Sequence, residues 1–100
     1  MWLNNKEESV FGPFSDFIHK NENKKYEFEY EDGTILIVEL FVDEYESENG
    51  LELKDSGYEE YWEMAFKIIE VKKDDKNTYE VGKYILVNYH CIPKTYKVVK

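Results

Sequence analysis

Between residues 10 and 18, apolar side chains recur three and four positions apart, which is the spacing of one helix face. The series consists of Val10, Phe11, Phe14, Phe17 and Ile18. Because proline is tolerated in the first turn of a helix, Pro13 predicts a short helix over residues 13–20. We expect the apolar stripe to pack on the rest of the domain. The alternative is that Phe11, Phe14 and Phe17 form a docking patch for a partner.

After this segment the pattern changes to a period of two. Between residues 26 and 31, aromatic side chains alternate with glutamates, as in a strand with one solvated face. The Asp32-Gly33 pair that follows is typical of a type I′ hairpin turn. Residues 34–42 are almost continuously apolar and rich in β-branched side chains, which indicates a strand covered on both faces. The sequence therefore predicts an antiparallel hairpin here.

The middle of the chain is polar and then ambiguous. Residues 43–57 contain Asn49-Gly50 and a second Gly-containing pair, so they predict a loop, with a short edge strand around Leu51 and Leu53. Residues 58–73 fit both a helical stripe and a strand face. We favour a strand over residues 61–72, because its apolar positions alternate and it ends in a polar, turn-like run.

Two more strands are predicted in the last part of the chain, over residues 83–90 and 95–99. Pro93 has no N–H to donate to a neighbouring strand, so the residues around it form a connection between the two. The resulting count is five strands and one N-terminal helix.

One hundred residues correspond to a single domain. We predict a mainly β, α+β architecture in which residues 1–23 form an N-terminal arm with a short helix. Residues 24–100 then form a small five-stranded antiparallel bent sheet or a partly open barrel, SH3-like or OB-like.

The charged residues indicate what kind of surface this fold presents. The chain has 22 acidic and 13 basic residues, a net charge of -9, and every basic residue is a lysine. Without arginine, the bidentate recognition of phosphates and guanine edges is missing, and the negative field disfavours double-stranded nucleic acid and anionic membranes. The absence of arginine together with many Lys, Asn, Ile and Tyr residues is typical of an AT-rich bacterial or phage genome.

The negative charge is concentrated in one quarter of the chain. Residues 39–63 carry ten carboxylates and only Lys54, whereas residues 83–100 carry four lysines and no acid. The acidic segment also contains three tyrosines and a tryptophan. Carboxylates raise the association rate of a basic partner, and Tyr or Trp side chains supply binding energy as anchors. This combination predicts a surface that binds a basic protein.

We therefore expect a small, acidic, non-enzymatic binding protein, such as an immunity protein or antitoxin that neutralises a toxin. The predicted partner-binding residues are Asp43, Glu44, Tyr45, Glu46, Glu48, Glu52, Tyr58, Glu59, Glu60, Tyr61, Trp62 and Glu63. The competing interpretation is that the acidic residues only keep a small protein soluble. The two interpretations differ in whether the aromatic side chains are exposed.

Two other functions are alternatives for this chain. A barrel could stack single-stranded nucleic acid on Tyr84, Tyr89 and Tyr96, next to the lysines of residues 83–100. A phage DNA mimic would instead present an extended double row of carboxylates. The compact segment of charge favours a protein-binding patch over a DNA mimic. The negative field of the whole molecule and the absence of arginine disfavour nucleic-acid binding.

The reactive side chains are few. His90 and Cys91 are adjacent, so in an extended segment they point to opposite faces and do not form a Cys-His dyad. Three His and Cys residues in total are too few for a tetrahedral zinc site, and the acidic segment does not match the spacing of an EF-hand calcium loop. We expect no catalytic residue, cofactor or metal. A single cysteine, no apolar run of membrane-spanning length and no signal-peptide pattern predict a cytoplasmic protein.

Overall fold

The computed structural model describes residues 5–54 and 56–100. It contains one helix and five strands: α1 (Asn5–Lys20), β1 (Lys25–Glu29), β2 (Ile35–Glu48), β3 (Glu60–Lys73), β4 (Tyr84–Val87) and β5 (Thr95–Val98). All paired strands are antiparallel, in the order β4-β3-β2-β1-β5. The mainly β fold with five antiparallel strands and one N-terminal helix is confirmed. Because β4 and β5 are the two edges of one sheet, the sheet is open and is not a closed barrel.

The helix is longer than predicted. It begins at Asn5, so Gly12 and Pro13 lie inside α1 rather than at its start. Pro13 is on the exposed side, whereas the first turns are held by a contact with the sheet. The buried carboxylate of Glu7 accepts a hydrogen bond of 2.7 Å from the backbone N–H of Trp62 in β3. This long-range bond anchors the N-terminal half of the helix across the sheet.

The core lies between α1 and one face of the sheet, which we call the inner face. The helix buries Phe11, Phe14 and Ile18 completely, and the sheet buries the side chains that face them: Tyr26, Phe28, Leu36, Val38, Met64, Phe66, Ile68 and Val87. The ring of Phe14 lies within 6 Å of the rings of Phe28 and Phe66. The apolar stripe is therefore core, and the alternative of a partner-docking patch on α1 is wrong for Phe11 and Phe14.

The β1–β2 hairpin is confirmed, but its turn differs from the prediction. The backbone N–H of Gly33 donates to Tyr30, and Tyr30 in turn donates to Thr34, which closes a three-residue loop. Within this loop only Gly33 has a positive φ, at 90°. The loop is therefore a type I turn followed by a left-handed glycine and not a type I′ turn. The side chain of Asp32 accepts from the N–H of Thr34 and stabilises the loop.

The largest departure from the predicted elements is the length of the β2–β3 hairpin. The predicted loop over residues 43–57 is wrong for residues 43–48, which continue β2 and pair with the start of β3. The segment 58–73 is settled as a strand from Glu60 onward. Irregularities in register between Leu40 and Tyr45 place extra residues in β2 and bend it. No edge strand forms around Leu51 and Leu53, whose side chains are exposed.

The last two strands are confirmed, with shorter bounds. β4 ends at Val87 rather than at residue 90, because a tight turn follows in which the N–H of Cys91 donates to Asn88. β5 adds to the far edge of the sheet beside β1. Among the described residues, no helix is long and apolar enough to cross a membrane.

Candidate protein-binding site

The distal halves of β2 and β3 and the loop between them form an arm, residues 43–63, which we call the acidic hairpin. Its described residues, 43–54 and 56–63, carry eight carboxylates and one lysine. Its loop is closed by Asn49, whose side chain donates to the carbonyl of Gly57 at 2.7 Å and whose backbone N–H donates to Glu59. Gly50, which follows Asn49 in this loop, has a φ of 85°. The charge seen in the sequence is thus collected on one paired structure.

Two carboxylates of the acidic hairpin lie directly opposite each other. Glu48 in β2 is the register partner of Glu60 in β3, and both side chains are exposed. Like charges at directly opposed positions of an antiparallel pair destabilise the sheet. The hairpin therefore presents concentrated negative charge at a cost to its own stability, in a place where opposite charges would pair better.

The aromatic side chains of the acidic hairpin are half-buried. The Tyr61 hydroxyl donates to the backbone carbonyl of Glu48, and Tyr61 and Trp62 both pack against the core. Burial raises the pKa of Tyr61, and burial with the neighbouring Glu63 raises that of Tyr45 well above its ordinary value. Tyr58, also half-buried, lies just before β3. These side chains are neither fully exposed nor wholly core, so each leaves part of its surface accessible.

The buried side chain of Glu63 holds one tyrosine of the acidic hairpin in place. Its side chain is only 5% exposed, although the sequence groups it with the surface carboxylates. One oxygen accepts a hydrogen bond of 2.7 Å from the Tyr45 hydroxyl, and the other accepts one of 2.8 Å from the side-chain amide of Asn88. Because both oxygens have partners, the burial of this carboxylate is compensated. Glu63 thus fixes Tyr45 relative to the turn that follows β4.

A histidine joins each end of the acidic hairpin to the rest of the domain. His19, at the end of α1, has its Nε2 atom 2.9 Å from Asp43 Oδ1. His90 has its Nε2 atom 2.6 Å from Glu59 Oε1, and its ring lies between those of Tyr61 and Tyr89. Both histidines are sequence-distant from their carboxylates, so the sequence offered no signal for either pair.

The contacts around His19 indicate its protonation state. Ser15 donates its hydroxyl hydrogen to Glu44, so its oxygen is left to accept from His19 Nδ1 at 3.4 Å. Both ring nitrogens then face acceptors, which suits the protonated ring. The hydrogen bond to Asp43 raises the pKa of His19, opposed in part by burial. Ser15 is itself buried, so this Ser-His-Asp arrangement serves to tie α1 to β2.

The twelve predicted partner-binding residues fall into three groups. The exposed carboxylates are Asp43, Glu46, Glu48, Glu52 and Glu60. The half-buried side chains are Glu44, Tyr45, Tyr58, Glu59, Tyr61 and Trp62, and Glu63 is buried. The structure brings all of them onto one arm, but Asp43 and Glu44 already bind side chains of α1.

The alternative nucleic-acid surface is not formed as the sequence suggested. Of its three tyrosines, Tyr89 is buried, and Tyr96 packs its ring 5.0 Å from those of Phe14 and Phe17. Only Tyr84 presents an open ring. Among residues 5–54 and 56–100, no three His, Cys, Asp or Glu side chains are placed to hold a metal ion.

A small β-rich domain with a charged and aromatic arm has the features expected of a protein that acts by binding another protein. Residues 2–89 match the family described as "Cognate immunity protein YxxD". Because this match covers most of the chain, the chain belongs to that family, and its function is that of an immunity protein that neutralises a toxin. No curated protein and no solved structure matches the chain.

Proposed function

We propose that this immunity protein binds its toxin through the acidic hairpin and that the toxin surface it covers is basic. The observation that carries the proposal is the exposed, directly opposed pair of Glu48 and Glu60. A protein selected only for stability gains from an opposite charge at one of these positions. A protein that must attract a basic partner gains from both carboxylates.

The arrangement supports a division of roles along the hairpin. Exposed carboxylates on the arm steer a basic surface toward it and raise the association rate. Half-buried aromatic side chains, held in place by hydrogen bonds, then supply contact area at a small entropic cost. Tyr61 is held in this way by Glu48, and Tyr45 by Glu63. Because these side chains are already ordered, binding costs less side-chain conformational entropy.

We further propose that neutralisation is by occlusion and not by a reaction. Membership in an immunity family supports a binding role. The Ser15 hydroxyl is buried and already donates to Glu44, and burial raises the pKa of the Cys91 thiol, which disfavours the nucleophilic thiolate. We also propose that the complex forms in the cytoplasm, a reducing compartment in which free cysteines such as Cys91 are common.

The test first identifies the cognate toxin by co-expressing this chain with polypeptides of the source organism. The toxin is the polypeptide whose toxicity this chain relieves, and it is then purified as an inactive variant. We expect a stoichiometric complex in which amide hydrogen exchange slows within residues 43–63. A complex in which exchange slows only elsewhere would contradict the proposed site, and the absence of any protective binding would contradict the proposed function.

A further inference from the structure

A second surface feature lies on the outer face of the sheet, opposite to α1. We call it the apolar patch: the exposed Phe41, Tyr84 and Leu86, together with Ala65, which is buried at 7% exposure. The rings of Phe41 and Tyr84 are in contact, with centroids 4.6 Å apart, and these two side chains are 59% and 50% exposed. Leu86 is 52% exposed. Single exposed apolar residues are ordinary, but a contacting group of them on one face marks an interaction site.

The register of three strands gathers these side chains. Ala65 in β3 is directly opposite Leu86 in β4, and the next outer-face residue of β3, Lys67, is opposite Tyr84. Phe41 reaches the same place from the bent part of β2. The single helix of the described residues packs on the inner face, so no helix covers this group.

The apolar patch is continuous with the acidic hairpin along β3. Met64 and Phe66 point into the core, so the residues that alternate with them, Glu63 and Ala65, lie on the outer face. Beyond Glu63 the same alternation places Tyr61 on the outer face, where it lies beside His90. One strip therefore runs from the apolar patch to the half-buried aromatics of the acidic hairpin.

We infer that the apolar patch is the second half of the toxin-binding surface and that it receives an apolar side chain flanked by basic residues of the toxin. The inference rests on the proposed function. Next to the patch on the outer face, Glu39 and Lys67 are register partners whose charges offset each other, and Glu63 is buried. The preference for a basic occupant therefore comes from the net charge of -9 on the whole chain, which also repels a second copy of the chain.

The experiment compares two double variants of the full chain against the inactive cognate toxin. The patch variant is Phe41→Ser with Leu86→Ser. The matched control is Val81→Ser with Val99→Ser, which removes two exposed apolar side chains outside the patch. We expect the patch variant to weaken affinity by about 10- to 100-fold, mainly through faster dissociation, and the control to stay within about twofold.

The outcomes separate this inference from the proposed function. If the patch variant binds like the wild type while carboxylate substitutions in the acidic hairpin weaken binding, the inference is overturned and the proposed function stands. If the wild type binds no toxin, both fail. If the wild type sediments as a dimer that the patch variant dissociates, with toxin affinity unchanged, a second copy is the occupant and the inference is also overturned.

Folding of the patch variant is checked by urea denaturation. If it is unfolded, the single substitution Leu86→Lys replaces it, because this half-exposed side chain tolerates a charged group and the added charge opposes a basic partner. We expect Leu86→Lys to weaken toxin affinity by at least about tenfold. Unchanged affinity of that variant would overturn the inference.

Discussion

Glu48 and Glu60 are register partners on neighbouring antiparallel strands, so two exposed carboxylates face each other across the acidic hairpin. An opposite-charge pair at such a position stabilises a sheet, whereas directly opposed like charges weaken it. In this immunity protein the opposed pair lowers local stability. It also presents two negative charges to the basic toxin surface that we propose.

The opposed carboxylates predict that a substitution which stabilises the fold here also weakens toxin binding. Glu60→Lys converts a repulsive pair into an attractive one and should raise the free energy of unfolding by about 0.2 to 1 kcal/mol. Glu80→Lys is the matched control, because it makes the same change in net charge at an exposed residue outside the sheet. Urea denaturation measures both. The same Glu60→Lys protein should bind toxin more weakly, and equal stabilisation by the control would show that only net charge matters.

The buried carboxylate of Glu63 predicts a large local cost on substitution. Glu63→Gln replaces one acceptor oxygen by an amide group, which then faces either the Tyr45 hydroxyl or the Asn88 amide. Leaving one of these groups unsatisfied should lower the free energy of unfolding by about 1 to 3 kcal/mol. The control Glu46→Gln removes an exposed carboxylate from the same arm and should change stability little. Similar melting curves for the two variants would argue against the network.

The His19–Asp43 pair predicts a pH dependence of stability. The hydrogen bond to Asp43 raises the pKa of His19 above its ordinary value of about 6.5, so the folded protein holds that proton more tightly than the unfolded chain. The resulting stabilisation is complete below pH 6.5 and is lost as the pH rises through the raised pKa. Glu22 and Glu44 add to the same effect.

The measurement is the urea midpoint at several pH values between about 5.5 and 8.5. We expect the wild type to lose stability across this range and both His19→Gln and Asp43→Asn to flatten the loss. The carboxylate control is Asp75→Asn, at an exposed position away from the pair. A wild-type slope that survives in His19→Gln would assign the dependence to another group.

The parts of the fold that the sequence predicted are those with local periodicity. The alternation around Tyr26 and Phe28 and the apolar stripe through Phe14 each report one buried face, and both were read correctly. The start of α1 was missed because Glu7 is held by the backbone of Trp62, more than fifty residues away. No local pattern carries that contact.

The candidate site was located by charge, but its geometry was not predicted. Residues 43–48 resemble a loop because both faces of this part of β2 are largely polar, so no alternation marks the strand. Their pairing partner begins only at Glu60. For the same reason the burial of Glu63, the two histidine pairs and the apolar patch depend on long-range register. The sequence therefore predicted which segment carries the charge, but not which of its side chains are exposed.

The central claim is that exposed carboxylates of the acidic hairpin attract the toxin. Its most direct measurement is the association rate constant of the inactive toxin with a variant carrying Gln at Glu46, Glu48, Glu52 and Glu60. The control carries Gln or Asn at Glu31, Glu70, Asp75 and Glu80, four exposed acids outside the hairpin with the same change in net charge. Rates are compared from roughly 50 to 500 mM salt.

We expect the hairpin variant to associate at least about tenfold more slowly at low salt, with a much weaker salt dependence, and the control to remain close to the wild type. Association rates that fall equally in both variants would mean that only net charge matters, and unchanged rates in the hairpin variant would contradict the claim outright.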